Sequence, residues 1–488
     1  MLFRQIFDPH LAQYAYLIGC QQTKEALLID PERDIDRYVE TAEREGLRVT
    51  AVAETHIHAD FLSGAREFAE QHGVTVYLSA EGGADWKYAW PERGDYDITL
   101  LRDGDTFSVG NIEVHAVHTP GHTPEHLSFL VTDHGGGADA PMGLASGDFV
   151  FVGDLGRPDL LETAAGQEGA QEAGARQLYD SVRRLTNLPD FLQVWPGHGA
   201  GSACGKALGS VPQSTLGYER QFNDAIQKAR DGKDAFVREI LEGQPEPPLY
   251  FARMKRENKE GPALLGELPA PPPVPASDLD SLTRSNGTLA DDDEVVVIDT
   301  REKEAFMRGH LAGSILAPID DDFATTAGSY VLPGKPVYLV VEPGRADEAV
   351  RALVRVGLDD VRGTITPEAL ADYGRGNDKL RMLKQIDFDE LDGRRHYSNV
   401  EIIDVRRKDE WDQKHIPNAR HVPHVRLLEH LDDLPRDKTL LVHCQTGIRS
   451  AVASALLDAR GFCVAYVNDD FERWKEREKE EGVTAGAH

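Results

Sequence analysis

At 488 residues the chain is longer than one ordinary domain, and its hydrophobic content of 40% is enough to build real cores. A net charge of −30 argues against nucleic acid and anionic membrane surfaces as partners. No apolar run is long enough to span a bilayer, and the N-terminus, MLFRQIFDPHLAQYAYLIG, lacks the basic-then-apolar layout of a secretory signal. The four cysteines, Cys20, Cys204, Cys444 and Cys463, form no C-x-x-C pair, so neither a zinc ribbon nor a redox dithiol is indicated. Reduced thiols in a cytoplasm are expected.

Strand-like runs (YAYLIG, EALLID, VTAVAET, VTVYLS, IEVHAVHT, HLSFLV) mix with helical segments through residues 1–267. Four loops at the ends of such runs carry histidine or aspartate. T-H-I-H-A-D (55–60) follows VTAVAE, and H-T-P-G-H-T-P-E-H (118–126) follows IEVHAV. A-S-G-D-F-V-F-V-G-D (145–154) holds two aspartates, and W-P-G-H-G (195–199) follows LQV. Loops at strand ends are where α/β folds gather ligands and catalytic groups. One histidine in a loop is ordinarily a hydrogen-bonding surface residue; H-x-H-x-D with P-G-H-T and G-D downstream points to a metal site.

Residues 268–277, LPAPPPVPAS, are expected to form a semi-rigid spacer. An internal repeat follows it. V-I-D-T-R-E-K-E-A-F-M-R-G-H-L (297–311) aligns without gaps on I-I-D-V-R-R-K-D-E-W-D-Q-K-H-I (402–416). Asp299/Asp404, Arg301/Arg406, Lys303/Lys408 and His310/His415 all match at one offset, which predicts a duplicated domain at 278–378 and 379–488. Each copy alternates strands and helices, as a small parallel α/β unit does.

The N-terminal motifs together resemble the metallo-β-lactamase fold, an αββα sandwich, over roughly residues 1–265. Dinuclear hydrolases of that superfamily extend the first motif to T-H-x-H-x-D-H, the last histidine serving a second metal; here Phe61 stands in that place, so one metal is expected. The mononuclear iron branch is the persulfide dioxygenases. Carried over by motif, that resemblance implies His56, His122 and Asp148 as ligands of one Fe(II), with Asp154 the competing carboxylate. Two histidines and a carboxylate form the ligand set of non-heme iron oxygenases, whereas zinc, the alternative metal, would serve hydrolysis. His58, Asp60 and His198 would then hold ligands or shape the pocket. Arg157 offers a fork for the carboxylate or phosphate of a thiol carrier, or else pairs with Asp159 or Asp154. Cys204 is either an inert buried thiol or a group that approaches a persulfide. Ala200 stands where glutathione-type members carry tyrosine, which leaves another low-molecular-weight thiol or coenzyme A open as carrier. The basic stretch 247–258 is either part of that pocket or an ordinary amphipathic helix.

In the second repeat, TLLVH leads into C-Q-T-G-I-R-S (444–450) and then a helix-like run. A cysteine at a strand end, before a tight loop and a helix N-terminus, sits in an anion cradle that favours a thiolate. With I-I-D-V-R and H-I-P-N-A upstream, this stretch resembles the rhodanese sulfurtransferases. That implies a persulfide on Cys444, with the loop Gln445, Thr446, Gly447 and Ile448 and the side chain of Arg449 holding its charge. The rhodanese-fold phosphatases use a loop one residue longer. Cys463 suits a buried structural role. The first copy reads E-P-G-R-A-D after VYLVV and has no cysteine there, so it is expected to be inactive.

The layout implies a dioxygenase that oxidises a low-molecular-weight thiol persulfide with O2 to sulfite, coupled to sulfur transfer between Cys444 and sulfite or thiosulfate in either direction. The alternatives are a glyoxalase II-like zinc thioester hydrolase fused to rhodanese, and a non-catalytic sulfur carrier. Self-association, frequent among the dioxygenases of the family, is a further implication.

Overall fold

The structure, a computed structural model, describes residues 1–163, 169–185, 187–283, 295–376 and 379–485. The chain divides into two compact units, residues 1–268 with 354–357, and residues 269–353 with 358–488. No helix among the described residues is long and apolar enough to cross a membrane.

The first unit holds two six-stranded sheets. One runs in chain order: β1 (Leu2–Asp8), β2 (Gln13–Cys20), β3 (Glu25–Ile29), β4 (Arg48–Ala53), β5 (Thr75–Ser79) and β6 (Ile98–Leu101). β1–β3 are antiparallel and β3–β6 parallel. The other contains β7 (Thr106–Val109), β8 (Ile112–His118), β9 (Leu127–Asp133), β10 (Gly143–Gly147), β11 (Gln193–Pro196) and β12 (Ser214–Thr215), again as successive neighbours.

Side-chain alternation builds the layers. In β2, Tyr14, Tyr16 and Ile18 join Leu27, Ala53, Val114, Phe129 and Trp195 in the core between the sheets. Ala15 and Leu17 point the other way, toward Tyr38 and Phe68 on the helices Asp36–Arg44 and Ala65–His72. On the far side, Leu144 and Val194 pack against Leu178, Val182, Phe236 and Ile240 of the helices Ala170–Leu185 and Lys233–Leu241. The result is the αββα sandwich. Inner strands are covered on both faces, which is why β2 is buried along its whole length, whereas the outer strands β6 and β7 keep exposed positions.

In the second unit, the strands Val296–Asp299, Ile315–Leu316, Val337–Val340 and Val361–Ile365 form one parallel sheet. Lys384–Ile386, Val400–Asp404, Arg420–His421, Thr439–His443 and Cys463–Val467 form a second. The repeated sequence makes the same lock twice. Arg301 forks onto Asp299, with Nη2 also donating to the Gly309 carbonyl at 2.9 Å. Arg406 forks onto Asp404, with Nη2 donating to the Lys414 carbonyl at 2.8 Å. His310 stacks on Phe306 and His415 on Trp411, both with ring centroids 3.8 Å apart. The expected boundary after residue 378 lies outside the described residues.

Two expectations are corrected. The proline-rich stretch, expected as a semi-rigid spacer, is pinned to a strand: Val274 N–H donates to the Thr364 carbonyl and Thr364 N–H to that of Pro272, at 2.7 and 2.9 Å. Proline lacks a donor but keeps its carbonyl, so the stretch can line a sheet edge. Cys463 is exposed rather than buried, because it opens its strand and faces Thr439 Oγ1 at 3.4 Å.

Candidate functional site

The ends of β4, β8, β10 and β11 deliver the four motif loops. Asp30, just after β3, clamps the first of them. It adopts a left-handed backbone (φ +52°), and its carboxylate accepts from Thr55 N–H at 2.7 Å and from Thr55 Oγ1 at 2.8 Å. Thr55 has one hydroxyl proton, and Asp30 takes it. At its 2.9 Å contact with His56 Nδ1 the hydroxyl therefore accepts, which places the imidazole proton on Nδ1 and leaves Nε2 bare.

His122 is oriented the same way. Its Nδ1 donates to the Arg157 carbonyl at 3.1 Å, so its Nε2 is bare as well. Both lone pairs face Asp148 Oδ2, at 4.0 Å from His56 and 3.5 Å from His122. Asp148 is held by its backbone N–H, which donates to His126 Nε2 at 3.0 Å, and its carboxylate faces the Cys204 thiol as well as the two imidazoles. Gly147, at φ +50°, lets the chain pass between Thr55 and His126; a β-carbon there would lie 2.6 Å from Thr55 Oγ1.

Three lone-pair donors thus converge in a buried space, a donor set that suits a cation. Titration agrees. Burial, with the surrounding histidines, holds His56 well below its ordinary value, and burial lowers His122 to about 3. Burial also pushes the Asp148 carboxyl up to about 6. The residues present fit a metal ion.

A second group of three donors stands beside the first: Asp60, His198 and Cys204. His198 Nε2 lies 3.2 Å from Asp60 Oδ2 and 3.5 Å from Asp148 Oδ1. Burial, then the charges of Asp60 and Asp148, push the Cys204 thiol well up, and burial raises Asp60 to about 6. Phe61 donates nothing to either group. Its buried ring lies against His58, centroids 4.3 Å apart.

The third group, Asp30, Glu54 and His58, is an ion-paired cluster. His58 Nε2 lies 3.2 Å from Asp30 Oδ1 and 3.4 Å from Glu54 Oε2. Burial opposes the charge on His58, but the two carboxylates win and raise it well above its ordinary value. His58 supports the loop through Asp30.

Of its two expected roles, Arg157 takes the pair with Asp159 and is not a free fork for substrate. It is buried, with Nε and Nη2 on Asp159 at 2.8 and 2.5 Å, and it also donates to the carbonyls of Ala203 and Pro245. It therefore ties down the Cys204 loop. The basic stretch forms the helix Phe251–Glu260, whose Asn258 donates to the carbonyls of His58 and Phe61 and accepts from Ser63 N–H. Lys255 on that helix lies 3.5 Å from the Trp86 ring centroid, and burial lowers it to about 7. Asp30 escapes a reading by motif, because it stands in an unremarkable context and reaches the site only through the fold; Asn258 and Lys255 lie in the basic stretch singled out above.

In the second unit, Cys444 is buried at the end of the strand Thr439–His443, and its Sγ accepts from Gly447 N–H at 3.1 Å. The helix Ile448–Ala459 starts at that glycine (φ +91°). Thr446 and Ile448 are exposed, and Gln445 donates to Glu472 at 3.1 Å. Arg449 does not turn its fork toward the sulfur as expected. Both terminal nitrogens go to Glu410, at 2.5 and 2.7 Å, because that carboxylate offers a matched bidentate partner.

The family described as the metallo-beta-lactamase superfamily matches residues 9–198, and the rhodanese-like domain family matches residues 387–477. The chain is 30% identical over 209 residues to a Bos taurus protein named mitochondrial persulfide dioxygenase ETHE1, covering 41% of this chain and 68% of that one. It is also 23% identical over 224 residues to a probable polyketide biosynthesis zinc-dependent hydrolase, BaeB, of Bacillus velezensis, covering 46% and 89%. A crystal structure of a metallo-beta-lactamase from Staphylococcus aureus subsp. aureus COL superposes with a TM-score of 0.65 at 40% identity, covering 75% of this chain and 99% of that chain. Through residues 9–198 the chain belongs to the metallo-β-lactamase superfamily, and behind that region it carries a rhodanese-like domain.

Proposed function

We propose that the chain is a persulfide dioxygenase joined to a sulfurtransferase. The observation that carries this reading is the meeting of the bare Nε2 atoms of His56 and His122 with the buried carboxylate of Asp148. These three would hold one Fe(II). Bound there, iron would supply the redox chemistry that lets O2 oxidise the outer sulfur of a persulfide. The balance is R-S-S⁻ + O2 + H2O → R-SH + SO3²⁻ + H⁺. The protein's own part is to keep both imidazoles neutral and aimed, through Thr55 and the Arg157 carbonyl, and to exclude bulk water from the buried pocket. The likeness to the bovine persulfide dioxygenase supports this reading.

In the second unit, Cys444 would take the sulfane sulfur of thiosulfate: Cys-S⁻ + S2O3²⁻ → Cys-S-S⁻ + SO3²⁻, or the reverse with the sulfite made at the first site. The N–H of Gly447 stabilises the anionic sulfur. The copy at 278–378, without a cysteine, would perform no transfer itself.

Oxygen uptake by protein loaded with iron under anaerobic conditions, supplied with several thiol persulfides, tests the reading. His122→Ala should abolish uptake and Cys444→Ser should leave it. Uptake that survives His122→Ala overturns the dioxygenase assignment.

The group Asp60, His198 and Cys204 favours a second reading, a hydrolase with two zinc ions, since a carboxylate, an imidazole and a thiolate are all zinc ligands. Two zinc ions per chain, with thioester hydrolysis and no oxygen uptake, would establish it instead.

A further inference from the structure

The copy without a cysteine packs a charged residue against the loop of the copy that has one. Lys303 opens the helix Lys303–Arg308 of the first copy, and its ammonium donates to Asn468 Oδ1 at 2.7 Å. Asn468 follows the strand Cys463–Val467 of the second copy. The same ammonium lies 3.3 Å from the point where a Gly447 β-carbon would stand, and Gly447 is the residue whose N–H donates to Cys444 Sγ. The sequence match of the repeats sharpens this. The counterpart Lys408 is exposed and pairs with Asp412 at 2.9 Å, one turn along its own helix. Two copies of one lysine thus point to different tasks. Meanwhile Arg449, the cation of the loop itself, has both terminal nitrogens on Glu410.

We propose that Lys303 forms the anion-binding wall of the Cys444 pocket and selects small sulfur oxyanions, thiosulfate and sulfite, so that the cysteine-free copy completes the site of its sister. The inference rests on the sulfurtransferase reading above. In the transfer, the Cys444 sulfur attacks the sulfane sulfur of thiosulfate, the S–S bond breaks, and sulfite leaves with the bonding pair. An ammonium there balances the dianion as it enters and leaves, which a neutral donor could not do.

The test is thiosulfate-dependent sulfur transfer by the full chain to cyanide, with Cys444 persulfide followed by mass. Lys303→Gln should raise KM for thiosulfate about tenfold, the equivalent of one charge-assisted contact, with kcat within about twofold. Lys303→Arg should recover most of the loss, and Lys408→Gln should leave KM unchanged. In an enzyme that charges Cys444, a Lys303→Gln variant with unaltered KM overturns the inference alone. Wild-type protein in which Cys444 gains no sulfur from thiosulfate overturns the sulfurtransferase reading, and the inference with it.

Discussion

The backbone N–H of Asp148 donates to Nε2 of His126 across 3.0 Å, and the opposite ring nitrogen of His126 is anchored on Thr119 Oγ1 at 2.9 Å. His126 is therefore no ligand; it fixes the chain at the residue whose carboxylate faces His56 and His122. His126→Ala should lower metal affinity by about 10–100-fold, as loss of a supporting contact behind a ligand does. Metal titration followed by circular dichroism checks it, with the fold expected to persist.

Asp30 acts on His56 through Thr55. Asp30→Asn keeps the size and tolerates the left-handed backbone, but it offers an amide where Thr55 and His58 both meet carboxylate. Control of the His56 tautomer should weaken, and iron affinity should fall by about tenfold or more. Isothermal titration at constant pH measures this, with the thermal midpoint of the metal-free protein as the fold control.

Metal binding should depend on pH through Asp148. Its carboxyl is pushed from 3.8 up to about 6 by burial, so the metal-free folded form holds a proton that the unfolded chain has released. This group's contribution to metal-free stability is present at low pH and is lost as pH rises through about 6. Metal must displace the same proton. Affinity should therefore rise about tenfold per pH unit up to pH 6 and then level, since His122, lowered to about 3, is already neutral. Proton release during anaerobic iron titration at pH 5 and pH 7.5 gives the readout, with release expected at the lower pH only.

Arg157 should behave as a strut. Arg157→Met strands the buried Asp159 and frees the carbonyls of Ala203 and Pro245, a loss of about 3 kcal/mol for a broken buried pair. Chemical denaturation of the metal-free protein should show that loss. A substrate-binding role would appear instead as a raised KM with stability unchanged.

Sequence by itself singled out His56, His122 and Asp148, because each lies in a short window at a strand end: His56 after β4, His122 after β8, Asp148 after β10. It also determined the repeat, whose Asp–Arg–His lock is local in both copies, and the Cys444 loop, which is contiguous. Phe61 was legible as a side chain with no lone pair to offer, and its ring lies against His58.

Only the tertiary structure decided which atoms of those residues meet and what stands behind them. Asp30 orders His56 from a neighbouring strand, and Cys204 joins Asp60 from more than 140 positions away. Lys303 reaches Asn468 across 165 positions. Motif spacing carries no information about such pairs, because strand order and loop return, not chain separation, set their distance. The same reason explains Arg449, which looks available in the sequence yet is paired by Glu410, 39 positions away. Asp159, two residues from Arg157, was by contrast legible as its partner.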